Sequence, residues 1–187
     1  NEEKDKLIQI AVAHYQFEAI HPFLDGNGRV GRFIISLFLY EKKLLSHPFL
    51  YLSEFFEEHR QDYYELLRGV SEKQDWKNWI KFFLNAITTQ AQKAEEIGKE
   101  IIKLHGVFKE KIIDIGSIYS NNLLDAIFVR PIFTTASLRP HIKIKNTQTF
   151  FSLVAKFVDT GILHEVNPKK KRNKVYAFYE LIKLLNK

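Results

Sequence analysis

His-Pro-Phe-Leu-Asp-Gly-Asn-Gly-Arg-Val-Gly-Arg, residues 21–32, separates two stretches of the chain that have helical patterns. Residues 4–20 contain neither Gly nor Pro and are apolar over much of their length, which predicts a mostly buried helix. Pro22 disfavours the α conformation at His21, so we expect this helix to end there. Apolar residues return at helical spacing after residue 27 and predict a second helix over residues 27–43. The quoted segment is therefore predicted to be a loop between two helices, with Phe23 anchored in the core.

The rest of the first two thirds of the chain is also predicted to be helical. Apolar residues form a helical stripe over residues 50–69, and Asp75 is a suitable N-cap for a long helix over residues 76–105. From about residue 117 the pattern changes to short elements. We predict three short helices there, followed by two strands around a basic turn, over 123–128, 134–140, 148–159, 162–166 and 174–178. Phe151 is predicted to point inward from the third of these helices.

This order of elements predicts a mainly α fold with two domains. Residues 1–116 form the helical domain, and residues 117–187 have the layout of a winged helix-turn-helix, with three helices and a β-hairpin. Residues 141–187 hold ten Lys and Arg against three Asp and Glu, whereas the whole chain has a net charge of +6. A basic end of this kind indicates either a solvated face rich in lysine or a surface for an anionic partner.

Composition excludes several classes of protein. The chain has no cysteine, which removes disulfides and thiolate metal sites and fits a reducing compartment, so a cytoplasmic location is expected. No apolar run approaches the length that crosses a bilayer, and no signal peptide opens the chain, so no membrane association is expected. Sixteen Phe among 187 residues are sufficient for a substantial core.

The loop combines residue types that suit a phosphate group. Gly26 to Gly31 formally fits the G-x-G-x-x-G dinucleotide fingerprint, but a helix precedes it instead of a strand, so that interpretation is rejected. Two glycines before a helix still let backbone N–H groups converge on an anion. Asp25 is a candidate Mg²⁺ ligand, and Arg29 with Arg32 is placed to pair with phosphate oxygens. His21 is a candidate general base, because an imidazole can accept a proton from a hydroxyl.

These twelve residues resemble the signature of the Fic (filamentation induced by cAMP) family, H-P-F-x-[DE]-G-N-G-R-x-x-R, at every fixed position. The resemblance extends over residues 13–84, and includes Tyr51-Leu52-Ser53, the stretch from His59 to Tyr64 and the stretch from Trp79 to Leu84. The chain is most similar to the bacterial subgroup whose members carry a C-terminal winged helix. The resemblance therefore implies a Fic-type helical core in front of that winged helix.

The resemblance also implies an activity, the transfer of AMP from ATP to a Ser, Thr or Tyr hydroxyl of a protein with release of pyrophosphate. His21 is then the base for the target hydroxyl, and Asp25 holds Mg²⁺ on the phosphates. Tyr64 falls where related proteins contact the nucleotide. The resemblance assigns phosphate binding to the rest of the signature, in which the glycine turn forms an anion hole and the arginines support the phosphates. These residues are Gly26, Asn27, Gly28, Arg29, Val30, Gly31 and Arg32.

Other features of the family are missing from the sequence. Members normally have several helices and a β-hairpin flap before the signature, and with about twenty residues before His21 we expect the flap to be absent from this chain. The family's inhibitory segment is not found either, since the stretch from Ser53 to Glu58 lacks its final Gly or Asn. The expected partner is a protein that bears a hydroxyl residue, with the chain itself as one candidate, and a homodimer is a further possibility.

Three alternatives remain open from the sequence. In the first alternative, UTP or GTP replaces ATP as the donor, or a phosphate group is transferred instead of AMP, because the loop recognises phosphates and not the base. The chain is a DNA-binding transcriptional regulator whose nucleotide site is a sensor, with the basic turn on DNA phosphates through Lys169, Lys170, Lys171, Arg172 and Lys174. Finally, the chain is an inactive remnant of a Fic protein.

Overall fold

The computed structural model describes residues 5–47, 50–169 and 173–186. The chain is mainly α-helical, as predicted, and divides into two compact units between Glu95 and Glu96. That division falls inside one long helix, about twenty residues before the predicted domain boundary between residues 116 and 117. The assignment of 1–116 and 117–187 as domains stays a prediction.

The first unit is built from helices. Their bounds are α1 Lys6–Ile20, α2 Asn27–Glu41, α3 Ser53–Glu58, α4 Arg60–Lys73 and α5 Trp76–Lys111, which continues into the second unit. The single helix predicted over residues 50–69 is wrong. The chain forms two helices there, α3 and α4, which are separated at His59, because its φ of −111° and ψ of 37° lie outside the helical region. The His59 Nδ1 lies 2.9 Å from the Phe55 carbonyl oxygen.

The ends of α1 follow from the sequence. The Asp5 carboxylate accepts hydrogen bonds from the N–H groups of Leu7 and Ile8 and caps the helix at its start. At the other end α1 stops after Ile20, as predicted, because Pro22 excludes a further helical residue. His21 takes a left-handed conformation with φ 49° and ψ 58°, and its N–H still bonds to the Phe17 carbonyl oxygen. The chain therefore turns away from α1 at His21.

The core of the first unit is aromatic and encloses a histidine. The His14 ring is stacked on Phe56 and Trp79 with centroid distances of 5.9 and 6.0 Å, and it is almost completely buried. Its Nδ1 lies 3.2 Å from the Gly31 carbonyl oxygen, and its Nε2 lies 3.0 Å from the Tyr63 hydroxyl. Because a carbonyl oxygen only accepts, Nδ1 carries the proton and Nε2 accepts from Tyr63. His14 thus links α1, α2 and α4.

The second unit contains short helices and a small sheet. Its elements are α6 Ser120–Val129, β1 Ile132–Thr134, α7 Thr135–Leu138, α8 Thr147–Asp159, β2 His164–Glu165, β3 Val175–Ala177 and α9 Tyr179–Leu185. The strands are antiparallel in the order β1-β3-β2, with Phe133 opposite Tyr176. Thr134 caps α7 and Asn146 caps α8.

Three details of the second unit were not predicted correctly. β1 was missed because it is only three residues long, and α9 was missed because the hairpin was taken as the end of the pattern. Phe151 does not point inward, since it is 45% exposed while its neighbour Phe150 is buried. The inward stripe of α8 passes through Phe150, Leu153, Val154 and Phe157, and Phe151 lies to one side of it.

Among the described residues, no helix combines the length and apolar character needed to cross a bilayer.

The buried histidine predicts a loss of stability on acidification. Burial, opposed in part by the bond to Gly31, lowers the pKa of His14 from 6.5 to about 4. A folded-state pKa below the unfolded one means that the unfolded chain binds the proton first, so stability falls as the pH drops from about 6.5 towards 4. This group alone is expected to remove about 2 to 3 kcal/mol between neutral pH and about pH 4.5.

The measurement is urea unfolding at both pH values, with His14→Gln as the matched variant. Glutamine offers one donor and one acceptor but does not titrate, so its free energy of unfolding should fall less on acidification than that of the wild type. An equal fall in the two proteins would contradict the assignment.

Candidate active site

The loop between α1 and α2 is held in shape by Asn27. This side chain is 2% exposed, its Oδ1 accepts a hydrogen bond from the Phe23 N–H at 2.9 Å, and its Nδ2 donates to the Phe23 carbonyl oxygen at 2.5 Å. Phe23 itself is half exposed, with its ring near that of Phe17, so the prediction that it is anchored in the core is wrong. The loop is fixed through the backbone of residue 23 and not through its ring.

The first turn of α2 leaves backbone donors without a partner in the helix. The first i to i−4 bond of this helix runs from the Val30 N–H to the Gly26 carbonyl oxygen at 3.0 Å. The N–H groups of Asn27, Gly28 and Arg29 come before it and have no intrahelical acceptor. The Gly26 N–H bonds to the Asp25 Oδ1 at 2.7 Å. The predicted anion hole is thus formed by backbone groups, while the Asn27 side chain is committed to the loop.

The two glycines of this turn, Gly26 and Gly28, are each required for a different physical reason. Gly26 has φ 82°, a left-handed conformation that side chains rarely adopt. At Gly28, an added Cβ would lie 3.2 Å from the Arg32 Nη1, so the missing side chain leaves room for the guanidinium above the first turn.

The charged side chains at the loop make few strong contacts with one another. Arg29 Nη2 lies 3.4 Å from Asp25 Oδ2, and both side chains are largely exposed, so this pair contributes little to stability. The Arg32 Nε donates to the Ser53 hydroxyl at 3.1 Å, which positions the arginine from α3. Both arginines therefore remain available to an anion, and Asp25 remains available to a cation.

These groups line one cleft of about 320 Å³. The lining combines the loop with one side of α3 and α4. The lining residues are His21, Leu24, Asp25, Gly26, Asn27, Gly28, Arg29, Arg32, Phe56, Glu57, Arg60, Tyr63 and Tyr64. The structure therefore brings together eight of the ten predicted catalytic, metal and phosphate residues, including the distant Tyr64. The phosphate nest lies in the same cleft as an aromatic ring.

Val30 and Gly31 are not brought to the cleft. Gly31 is buried and faces α1, where an added Cβ would overlap the Glu18 Oε1 and lie 3.1 Å from the Phe17 ring. Its physical role in this structure is the close packing of two helices. Residue 31 is a glycine because a carboxylate of α1 occupies the space that a side chain would need.

Five residues that line the cleft were not predicted from the sequence, namely Leu24, Phe56, Glu57, Arg60 and Tyr63. Glu57 and Arg60 line the cleft beside Tyr64, with the Arg60 guanidinium 5.8 Å from the Tyr64 ring centroid and 3.5 Å from the Glu57 carboxylate. Arg60 and Tyr64 are four apart on α4, a spacing that could have found the pair. Tyr63 precedes Tyr64 on the same helix.

Burial shifts two acids beside the site. Burial, and then the charge of Glu18, raises the pKa of Tyr63, so its hydroxyl stays neutral and donates to His14. Burial also raises the pKa of Glu18, while the positive charges of Arg32 and His21 oppose this shift.

The basic turn of the second unit is described only in part. Lys170, Lys171 and Arg172 lie outside the described residues. Lys169 is exposed, and the Lys174 Nζ lies 2.8 Å from the Glu165 carboxylate. On α8, the Lys156 Nζ donates to the Ile115 carbonyl oxygen at 3.1 Å. Binding of DNA through this turn stays a prediction.

Removal of the Asn27 side chain is expected to loosen the loop. Asn27→Ala leaves the N–H and carbonyl oxygen of Phe23 without their partner, and the cost is about 1 to 3 kcal/mol in the free energy of unfolding. Asn85→Ala, at an exposed position of α5, is the matched control and should change stability by less than about 0.5 kcal/mol. Equal effects at the two positions, measured by chemical denaturation, would refute the clamp.

The helix contact at Gly31 predicts a second-site rescue. Gly31→Ala is expected to destabilise the chain by about 1 to 3 kcal/mol through overlap with Glu18. Adding Glu18→Ala opens the space, so the double variant should be more stable than the sum of the single effects predicts. Gly98→Ala, where a Cβ meets no atom within 4 Å, is the control and should be neutral or stabilising. Additive effects of the two substitutions would exclude the proposed overlap.

Comparison with known proteins gives a family for the signature. Residues 1–39 match the Fic/DOC family. A protein of Aquifex aeolicus (strain VF5) described as a probable protein adenylyltransferase is 41% identical over 61 residues, which are 33% of this chain and 17% of that protein. A crystal structure of a Fic family protein from Desulfovibrio desulfuricans G20 has 22% identity and a TM-score of 0.48, over 95% of this chain and 50% of that one.

The chain therefore spans half or less of the length of these relatives. Its matched segment contains α1, the loop and most of α2, which supply His21, Asp25, the nest and both arginines. These residues are the part of the chain that matches the Fic/DOC family.

Proposed function

We propose that this chain carries the catalytic site of a protein adenylyltransferase, which moves AMP from ATP to a Ser, Thr or Tyr hydroxyl. One observation carries the proposal: the cleft collects a histidine, an exposed carboxylate, free helix N–H groups and two arginines in one place. Each of these groups has a role in moving a nucleotide's phosphorus to an oxygen nucleophile. The relative from Aquifex aeolicus, named a probable adenylyltransferase, supports the same reaction.

The phosphates bind at the start of α2. The N–H groups of Asn27, Gly28 and Arg29 and the positive end of the helix dipole receive phosphate oxygens. Arg29 and Arg32 add guanidinium groups, and Arg32 is already oriented by Ser53. Because the Asn27 side chain fixes the loop, these donors already hold their positions before an anion binds. This lowers the entropic cost of ordering them on binding.

His21 acts on the nucleophile. The hydroxyl proton of the target moves to the His21 ring as the hydroxyl oxygen forms a bond to the α-phosphorus. The bond between the α-phosphorus and the oxygen that bridges to the β-phosphate breaks, and its electron pair leaves with pyrophosphate. Donors at the nest, Arg29 and Arg32 stabilise the charge that develops on the phosphate oxygens.

The donor set at Asp25 fits Mg²⁺. This carboxylate is exposed at the edge of the nest, and its contacts with Gly26 and Arg29 leave lone pairs for a cation. Among the described residues no group of three or more metal-binding side chains occurs, so one carboxylate would hold the ion with phosphate oxygens and water. Bound Mg²⁺ would supply positive charge against the phosphates.

The far end of the cleft suits a nucleotide base. The exposed Tyr64 ring offers a stacking surface, with the Arg60 guanidinium near it. A base of any kind can stack in this way, so the identity of the donor is part of the test.

Transfer is tested with ATP labelled at the α-phosphate or at the γ-phosphate, in separate reactions with the wild type and His21→Ala. We expect protein labelling from the α-label only, and a loss of at least about a hundredfold in His21→Ala, in line with the contribution of a general base. Labelling from the γ-label would show phosphate transfer instead. UTP and GTP labelled at the α-phosphate identify the preferred base.

Intact mass spectrometry of the chain after incubation with ATP checks for self-modification as the source of the label. A candidate protein substrate is needed where the chain does not modify itself. Equal labelling of the wild type and His21→Ala would contradict the catalytic assignment.

A further inference from the structure

The short helix α3 lies beside the cleft and contacts one of its arginines. The Ser53 hydroxyl accepts a hydrogen bond from the Arg32 Nε at 3.1 Å. α3 has only six residues, which is too short for a helix to be stable on its own, so its place depends on contacts with the rest of the first unit. Those contacts decide whether the Ser53 hydroxyl stays within reach of the arginine.

The chain in front of α3 is attached to α2. The buried Ser36 hydroxyl donates a hydrogen bond to the Leu50 carbonyl oxygen at 2.8 Å. Ser36 lies one helical turn after Arg32, so the segment that leads into Ser53 is bound to the helix that carries the arginine. This contact restrains α3 from its N-terminal side.

A second restraint comes from Glu54, the residue that follows Ser53. The Lys93 Nζ donates to the Glu54 Oε1 at 2.7 Å, and the Gln90 Nε2 donates to the Glu54 Oε2 at 3.4 Å. Gln90 and Lys93 are three residues apart and therefore share one side of α5. Gln90 is buried, while Glu54 and Lys93 are half-buried. Both oxygens of one carboxylate are thus held by α5.

Apolar packing alone does not fix the rotation of α3 about its own axis. Phe55 and Phe56 are buried and attach the helix to the core. The hydrophobic effect is non-directional, whereas a hydrogen bond weakens steeply as its angle becomes less favourable. A small rotation of α3 therefore costs little apolar burial but moves the Ser53 hydroxyl away from Arg32. The bonds of Glu54 to α5 oppose that rotation.

Glu54 is charged at neutral pH and does not line the cleft. The hydrogen bond from Lys93, and then the one from Gln90, lowers the pKa of Glu54, so the carboxylate keeps both partners at neutral pH. Glu54 is not among the described residues around the cleft. Its influence on a bound anion therefore has to pass through Ser53.

We propose that Glu54 is a positioning residue of the phosphate site, which orients Arg32 through Ser53 by its bonds to Lys93 and Gln90. The inference rests on the proposed function, in that Arg32 receives a phosphate group of the donor nucleotide. An arginine that is already oriented loses less conformational freedom when an anion binds, so the affinity for phosphate is higher.

The probe is inorganic tripolyphosphate, which carries phosphates but neither a base nor a transferable AMP, and calorimetry measures its dissociation constant. Glu54→Ala should weaken binding roughly two- to tenfold, in line with the cost of ordering one long side chain. Loss of a negative charge alone would strengthen the binding of an anion, so the direction of the change separates the two effects. Glu58→Ala removes the same charge from an exposed position of α3 and should not weaken binding.

Two further variants separate position from charge. Glu54→Gln keeps an oxygen for Lys93, and the Gln90 amide can turn to accept from the new amide group, so most of the affinity should be retained. Lys93→Ala removes the partner on α5 and should weaken binding as Glu54→Ala does. These two alanine variants change the net charge in opposite directions, so weaker binding in both is evidence for the contact itself.

A double variant tests whether the effect passes through Ser53. Ser53→Ala removes the contact with Arg32 and should weaken binding to a similar extent, so that adding Glu54→Ala has little further effect. Additive losses of affinity would overturn the proposal, because a general structural role of Glu54 acts equally with and without Ser53. Binding by Glu54→Ala that is as tight as in the wild type, or tighter, would also overturn it. Should Glu54→Ala fail to fold, Lys93→Ala is held to the same outcomes.

The two proposals fail in different ways. No binding of tripolyphosphate by the wild type overturns the phosphate site, and with it both the proposed function and the role of Glu54. Binding by the wild type with unchanged affinity in Glu54→Ala and Lys93→Ala overturns the role of Glu54 alone.

Discussion

The close approach of α1 and α2 at Gly31 is the constraint on which the site depends. α1 ends at His21 and α2 begins at Asn27, so the distance between the two helices fixes how far the histidine lies from the helix N-terminus. The Glu18 carboxyl and the Phe17 ring of α1 fill the space that a Cβ at residue 31 would need. The Gly31 carbonyl oxygen also accepts the His14 Nδ1–H, and His14 in turn accepts from Tyr63 of α4. One contact therefore sets the positions of three helices around the cleft.

Asn27 and Ser53 complete this framework on either side of the loop. The Asn27 side chain bonds to the backbone of Phe23, and the Asn27 backbone N–H remains one of the free donors at the start of α2. Ser53 of α3 accepts a hydrogen bond from the Arg32 Nε. The Asn27 contacts are local, since Phe23 is four residues away, whereas the Arg32–Ser53 contact joins residues 21 positions apart. A polar side chain in the signature can thus stabilise the conformation of the loop. Backbone N–H groups and arginine side chains then remain as the donors of the proposed phosphate site.

The sequence predicts the parts of this site that depend on local chemistry. Pro22 stops α1, Gly26 turns the chain, and the arginines follow on the first helical turn, so the nest and its charges can be predicted without coordinates. Apolar spacing predicts most of the helices, although not the break at His59 or the helix α9. The resemblance of residues 21–32 to a known signature added Tyr64, which local patterns alone do not reach.

The remaining features depend on tertiary packing. Gly31 fits a phosphate fingerprint by spacing, yet its environment is the Glu18 carboxyl, which only the docking of α1 on α2 reveals. Phe23 is apolar but half exposed, because the loop is held through its backbone. The helix predicted over residues 50–69 breaks at His59, where a side chain to backbone contact competes with a regular helix. β1 is too short to give a periodic signal of its own.

The left-handed backbone of His21 has a consequence for the choice of residue at this position. A φ of 49° is unfavourable for histidine by about 1 kcal/mol, and glycine or asparagine would relax it. Backbone energetics and the proposed proton transfer therefore favour different residues at this one position. Glycine or asparagine at this turn would relax the backbone but remove the imidazole, so stability and the proposed chemistry place opposite demands on residue 21.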